Sequence, residues 1–293
     1  MTSDIDELKK LFTAKPRPTS WAERRERMDE ICAVDLPPAD IAFTPFDIGT
    51  VPAEWSLAPG SDGQKVLLYF HGGGYCAGSI ASHRGMVGTI GKLAGIRTLA
   101  VAYRLSPEHP YPAALEDALA SWRFLRGEGY APQSIAIGGD SAGGNLTLAT
   151  LLALRQQGEA LPAAAWLVSP WTDLTMSGAS LDLKAEVDPL ISRDYLVGLA
   201  QAFLAGRDAA DPAVSPLFAD LSGLPPTLVQ VGSSETLLDD AVGIARALGA
   251  AEVPVMLEVW PRMIHAWMLW SRLADGRAGS ARAAAWLRER LAP

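Results

Sequence analysis

From residue 65 onward the chain alternates between two textures. Short, almost wholly apolar runs occur at 66–70, 98–103, 134–138, 163–169, 227–232 and 255–260. Between them, apolar residues recur at helical spacing, as in Leu115, Leu119, Trp122 and Leu125, or Val242, Ala245 and Leu248. A strand that is apolar at nearly every position must be covered on both faces, and amphipathic crossover helices provide that cover. The alternation restricts the chain to the α/β class, with a mostly parallel sheet between two helical layers. A chain of 293 residues, 49% of them apolar, can build such a core unaided. Its two cysteines, Cys32 and Cys76, are too few for a disulfide scaffold or a cysteine-rich zinc site.

Two segments break the alternation. Residues 1–50 lack its regular texture. Ser20 is placed to cap a helix over 21–32, with Trp21, Met28 and Ile31 on one stripe. Arg24, Arg25, Glu26 and Arg27 are expected on the opposite, charged face. The proline-containing runs 41–48 and 51–57 read as edge strands. Later, more than fifty residues separate Pro170 from Thr227, and a helix is expected over 192–206. An insertion there falls at the carboxyl edge of the sheet, where α/β folds bind ligands. The expected organisation is an N-terminal cap segment over 1–50 and a core over 51–170. A cap insertion over 171–215 and the rest of the core over 216–293 follow.

The net charge of −8, from 25 basic and 33 acidic residues, argues against nucleic-acid binding and against a polybasic membrane contact. The amino terminus MTSDIDELKK is polar, and no run approaches the roughly 18 apolar residues of a membrane span. A cytoplasmic protein is expected.

Two glycine-rich motifs carry chemistry. Gly139-Asp140-Ser141-Ala142-Gly143 is a G-x-S-x-G lying between an apolar run and a helical stretch. That strand–turn–helix context exposes the serine hydroxyl at a helix amino terminus, whose partial charge favours an oxyanion. The alternative is a chance match in a glycine-rich chain. His71-Gly72-Gly73-Gly74-Tyr75 follows the run 66–70, and its glycines allow backbone N–H groups to approach a ligand closely. A phosphate loop would need G-x-x-x-x-G-K-[ST] or G-x-G-x-x-G opening a helix, and neither is present. A third stretch, 103–112, contains Glu108 and His109 and reads as a loop scaffold held by buried polar contacts.

HGGGY, YRLSPEHPYPAALEDA and GDSAGG, in this order and spacing, resemble the hormone-sensitive-lipase-like branch of the α/β hydrolases over roughly residues 65–293. The resemblance implies an α/β-hydrolase fold with a mostly parallel eight-stranded sheet, a helical cap, a serine esterase activity and no cofactor. Its chain order, nucleophile then acid then histidine, excludes His71, His83 and His109, which precede Ser141, and leaves His265. The family's Gly-Met-x-His-x-Phe is here Arg262-Met263-Ile264-His265-Ala266-Trp267, and the Arg and Trp changes are expected to reshape the pocket wall. The family's D-P-L-x-D aligns with Glu235-Thr236-Leu237-Leu238-Asp239, which places Glu235 as the acid with Asp239 as runner-up. The literal Asp188-Pro189-Leu190 falls in the insertion and reads as a cap feature.

The expected reaction is hydrolysis of a small-molecule carboxylic ester through an acyl-enzyme on Ser141, with His265 as base and Glu235 orienting it. Gly72, Gly73, Gly74 and Ala142 are the candidate oxyanion donors, and short to medium acyl chains are the expected substrates. The alternatives are amide or formamide hydrolysis at the same site, or a non-catalytic small-molecule binder. A homodimer is expected through the last strand, 255–260, which a helix over 281–291 follows, and Cys76 is expected near the mouth of the site as a small filler.

Overall fold

The computed structural model describes residues 4–16, 18–32 and 35–291. Its strands are β1 (Ala42–Ile48), β2 (Val51–Leu57), β3 (Asp62–Phe70), β4 (Ile96–Val101), β5 (Ile135–Asp140), β6 (Ala164–Val168), β7 (Thr227–Gly232) and β8 (Val255–Trp260). Its helices are α1 (Asp4–Thr13), α2 (Trp21–Cys32), α3 (Ile80–Ala94), α4 (Ala113–Gly127), α5 (Ala142–Gln156), α6 (Ser180–Leu183), α7 (Arg193–Leu204), α8 (Leu238–Ala250) and α9 (Ala274–Arg290). The strands form one eight-stranded sheet in the order β1-β2-β4-β3-β5-β6-β7-β8. β2 runs antiparallel to both its neighbours, and the remaining pairings are parallel.

The period of two along each strand sorts its side chains between two cores. Val66, Leu68 and Phe70 of β3 join Ile135 and Ile137 of β5 beneath α4, α5 and α8. Leu67 and Tyr69 join Ala136, Trp166 and Val168 on the other face, beneath α3 and α9. This two-sided burial is why the runs lack polar alternation. Among the described residues, no helix is long and apolar enough to cross a membrane.

The expected strands recur, β2, β7 and β8 with the expected ends and the others shifted, and three readings need correction. The segment 1–50 is not wholly separate from the sheet, because β1 pairs with β2 along its length, from Ala42 against Leu57 to Ile48 against Val51. β4 ends at Val101 rather than at 103: Ala102 N–H still donates to Pro52 O of β2, but Pro52 has no N–H to return a bond, and Tyr103 leaves to stack on His71. The last helix begins at Ala274, well before the expected 281, in an Ala-, Gly- and Arg-rich stretch with no apolar period to announce it.

Helix α2 starts where Ser20 predicts. Glu23 N–H donates to Ser20 Oγ at 3.2 Å, and Ser20 N–H donates to Glu23 Oε2 at 3.1 Å, a reciprocal cap. Its arginines do not form one solvated face. Arg25 reaches back to Cys76 O, Ser106 O and Glu108, and Arg27 donates to Leu11 O. Arg24 lies three residues after Trp21 and four before Met28, hence on their side of the helix.

Candidate active site

β5 ends at Asp140 and α5 begins at Ala142, so Ser141 is the single residue joining strand to helix. Its φ of 53° is left-handed, a strained state for a non-glycine residue and the hallmark of a sharp elbow. The turn is tied to the next strand by Ser141 N–H donating to Val168 O at 2.9 Å. The elbow also passes very close to β3: a Cβ on Gly143 would stand 1.9 Å from Phe70 O. Only glycine fits there.

Ser141, Gly73, Gly74 and His265 open on one cavity of about 460 Å3. Its upper wall comes from α2 and α7 and from Phe12 of α1, and Leu269 and Trp270 close one side. The segment before the sheet and the insertion after β6 thus meet over the elbow.

His265 follows β8 on a short loop and turns its Nδ1 to Glu235 Oε2 at 2.8 Å. Glu235 is fully buried after β7, and its other oxygen accepts from Ser169 Oγ at 2.8 Å and Gly232 N at 2.5 Å. Ser169 also accepts from Ala266 N at 3.1 Å, so one hydroxyl braces both the carboxylate and the histidine loop. Sequence reasoning passed over Ser169. Its only signal is its place at the end of a strand run before Pro170.

Burial alone would lower the His265 imidazole. The hydrogen bond and charge of Glu235, with Asp188 and Asp140 behind them, outweigh burial and hold it above the ordinary histidine range. Burial pushes Glu235 up, partly offset by His265 and the Gly232 N–H.

Of the three carboxylates weighed, Glu235 is the one that meets His265. Asp239 instead accepts from Ser180 N at 2.8 Å, at the start of α6. Asp188 is more than a feature of the insertion. It accepts from Leu190 N and Ile191 N on one oxygen, and from Thr236 N and Oγ1 on the other, at 2.8–3.0 Å. It thereby clamps the insertion to the residue next to Glu235.

The glycine loop needs one correction. Gly72 N–H donates to Asp140 Oδ1 at 2.9 Å, so it is not available to an oxyanion. Asp140 also accepts from Tyr69 Oη at 2.7 Å and lies 3.1 Å from His83 Nε2. Burial alone would raise its carboxyl; the charge of His83 and the bonds from His83 and Tyr69 hold it below its usual range. His83 thus serves the loop from inside α3. Among the described residues, the N–H groups of Gly73, Gly74 and Ala142 donate to no protein acceptor.

The 103–112 stretch braces the same loop. Tyr103 stacks on His71 with ring centroids 4.3 Å apart and donates to His71 O at 2.7 Å, while Glu108 pairs with Arg25 at 2.6 Å. Tyr75 stacks on Phe203 of α7 at 3.7 Å, joining the loop to the insertion.

Three expectations about the pocket wall shift. Cys76 is fully buried, its thiol pushed up to about 12 by burial, and it does not reach the cavity; Cys32 does. Trp267 packs into the α3–α9 core and Arg262 is exposed, so neither lines the cavity, whereas Trp270 does.

A family model described as alpha/beta hydrolase fold matches residues 67–269. An acetyl-hydrolase from Streptomyces hygroscopicus is 41% identical over 94% of this chain and 89% of its own. An esterase from Acinetobacter venetianus is 36% identical over 83% of this chain and 82% of its own. A crystal structure of an esterase from the bacterial hormone-sensitive lipase family is 41% identical, covers 100% of both chains and superposes with a TM-score of 0.96. With the elbow, the glycine loop and the eight-stranded sheet in place, these likenesses decide the matter: the chain belongs to the hormone-sensitive-lipase-like family of α/β hydrolases and is a carboxylic ester hydrolase.

Proposed function

We propose that the hydrolysis runs through an acyl-enzyme on Ser141, with His265 as general base and acid and Glu235 as its orienting carboxylate. The observation that carries this reading is the elbow serine opening on the same cavity as a histidine whose Nδ1 is already engaged by a buried carboxylate. With Nδ1–H donated to Glu235, Nε2 is the lone pair left to take the Ser141 proton. Ser141 Oγ attacks the ester carbonyl, and the resulting oxyanion is received by the N–H groups of Gly73, Gly74 and Ala142. His265 passes the proton to the departing alcohol as the C–O bond breaks and leaves the acyl group on Ser141. It then takes a proton from water, which attacks the acyl ester and releases the acid and the serine.

The helices over the elbow act as a cap, and a half-enclosed cavity of about 460 Å3 favours dissolved esters of short to medium chain over lipid surfaces. The 41%-identical relative is named an acetyl-hydrolase, and acetyl is a two-carbon acyl group. We place the enzyme in the cytoplasm, as a homodimer joined at β8.

Labelling with an active-site phosphonate tests the mechanism. One adduct per chain on Ser141, abolished in Ser141→Ala, is expected; turnover that survives Ser141→Ala overturns it. A series of 4-nitrophenyl esters from acetate to palmitate tests the chain length, and faster turnover of emulsified long-chain triglycerides than of soluble butyrate sinks that part.

A further inference from the structure

We propose that Arg24 is an anion-recognising residue of the active-site cavity, and that the enzyme prefers esters carrying a carboxylate. The inference deepens the reading above and rests on it, because Arg24 lines the same cavity as Ser141 and His265.

Arg24 sits on the inner stripe of α2, between the turns of Trp21 and Met28. Its guanidinium lies over the Trp21 ring, 4.6 Å from the centroid, and over Tyr195 of α7, 5.2 Å away. Two rings from the two halves of the cap therefore hold one cation in place. Stacking fixes the plane of a guanidinium and leaves its edge of N–H donors unused. Among the described residues, no acceptor is recorded for that edge here. Arg24 Nε is buried with no hydrogen-bond partner, and among the described residues the side chain makes no ion pair.

The neighbouring cations differ. Lys15 and Arg27 also line the cavity, but both are taken up by Glu30, at 2.7 Å and 3.3 Å, and Arg27 further donates to Leu11 O. Arg25, one residue on, turns to Glu108. Asp194 is the carboxylate on the cavity's cap wall, and Asp140 at its floor is held by His83. In a chain of net charge −8, an arginine that lines the cavity and makes no ion pair among the described residues is an unspent charge. A guanidinium edge of this kind is matched best by a planar carboxylate, through paired charge-assisted hydrogen bonds. One unspent charge also suits a monoanion better than a phosphate dianion.

Two matched pairs of esters test the proposal, one for each arm of the substrate. Mono-4-nitrophenyl adipate against 4-nitrophenyl hexanoate puts the carboxylate on the acyl chain. 4-Acetoxybenzoate against 4-acetoxybenzamide puts it on the leaving alcohol. The expected wild-type result is a kcat/KM ratio of about tenfold or more for the charged member of one pair, falling as salt is raised. Arg24→Gln should bring that ratio close to one, and Arg24→Lys should restore part of it. The salt dependence of the wild-type ratio needs no variant, so the proposal is tested even where Arg24→Gln fails to fold. A wild-type ratio of one or less in both pairs, or a ratio that survives Arg24→Gln, overturns it. Either result leaves the acyl-enzyme reading intact, since that reading fails only on the Ser141 label and on turnover by Ser141→Ala.

Discussion

His265 is pulled two ways, by burial that disfavours its charge and by Glu235 that favours it, and Glu235 prevails. A base whose conjugate acid is held above the ordinary value of about 6.5 loses its working neutral form at a higher pH than a free histidine would. The acid limb of kcat/KM is therefore expected above that value. Glu235→Gln keeps the volume but removes the charge that raises the imidazole, so the limb should move to lower pH. Turnover should fall by about 10²–10⁴-fold, the cost of losing the orienting carboxylate. A limb that stays in place in Glu235→Gln, with turnover near wild type, would falsify the assignment. How far such residues can be read in advance depends on what marks them. Ser141 and His265 are marked by motif and chain order, and Glu235 by the Leu-x-Asp that follows it. Ser169 carries no mark, because its role comes from two loops meeting across the end of β6. Gly72 misleads for the opposite reason: it sits inside a motif that suggests donation to substrate, while a carboxylate 68 residues away claims its N–H.

At the scale of the element, the β5–α5 elbow and α7 put the same substitution in opposite settings. Gly143→Ala drives a methyl to 1.9 Å from Phe70 O, which is backbone of the central β3 and cannot give way. Moving the elbow off β3 should cost about 1–3 kcal/mol or more and displace Ser141, so both Tm and turnover should fall. Gly198 lies within α7 with nothing within 4 Å of an added Cβ. There Gly198→Ala should gain about 0.5–1 kcal/mol from helix propensity alone, read as a rise in Tm. Equal Tm changes in the two variants would show that the clash at the elbow is relieved elsewhere. The same contrast explains which elements were legible. β7 and β8 match their apolar runs residue for residue: β7 is buried on both faces, and β8, though half exposed, is bounded by Pro254 and Pro261. The first seven residues of α9 leave no apolar signal, because its buried positions include Gly276, Gly279 and Ser280, which pack closely without being hydrophobic. On α2, the charged run suggests a solvent face, yet Arg24 and Arg27 line the cavity. Arginine stems bury readily while the head finds a ring or a carbonyl, so a basic run on a helix does not by itself locate the solvent side.

For the whole molecule, the two edges of the sheet differ in how they are guarded. β1 carries Pro45, which cannot donate to a further strand, and that edge is discouraged from pairing. β8 has no proline, and Met256, Leu257 and Val259 are 45%, 37% and 43% exposed, apolar side chains left uncovered on a strand with a free backbone edge. Glu258 is the one charge along it, and it is already held by Arg282 at 2.6 Å. A monomer in water would expose both the apolar side chains and a row of unpaired N–H and C=O groups, the combination that soluble proteins avoid. A second copy can cover both at once, strand against strand about a two-fold axis, with Glu258–Arg282 at the rim. Ser141 follows β5, with β6 and β7 between it and β8, so pairing at β8 leaves the mouth of the site open. The expected mass by light scattering at micromolar concentration is therefore twice 31.1 kDa. Placing lysines at 256 and 259, the charge that natural edges use as a guard, should return it to the monomer value. A monomeric wild-type protein would mean that the exposed edge is tolerated as it stands, and a dimer that survives both lysines would place the interface elsewhere.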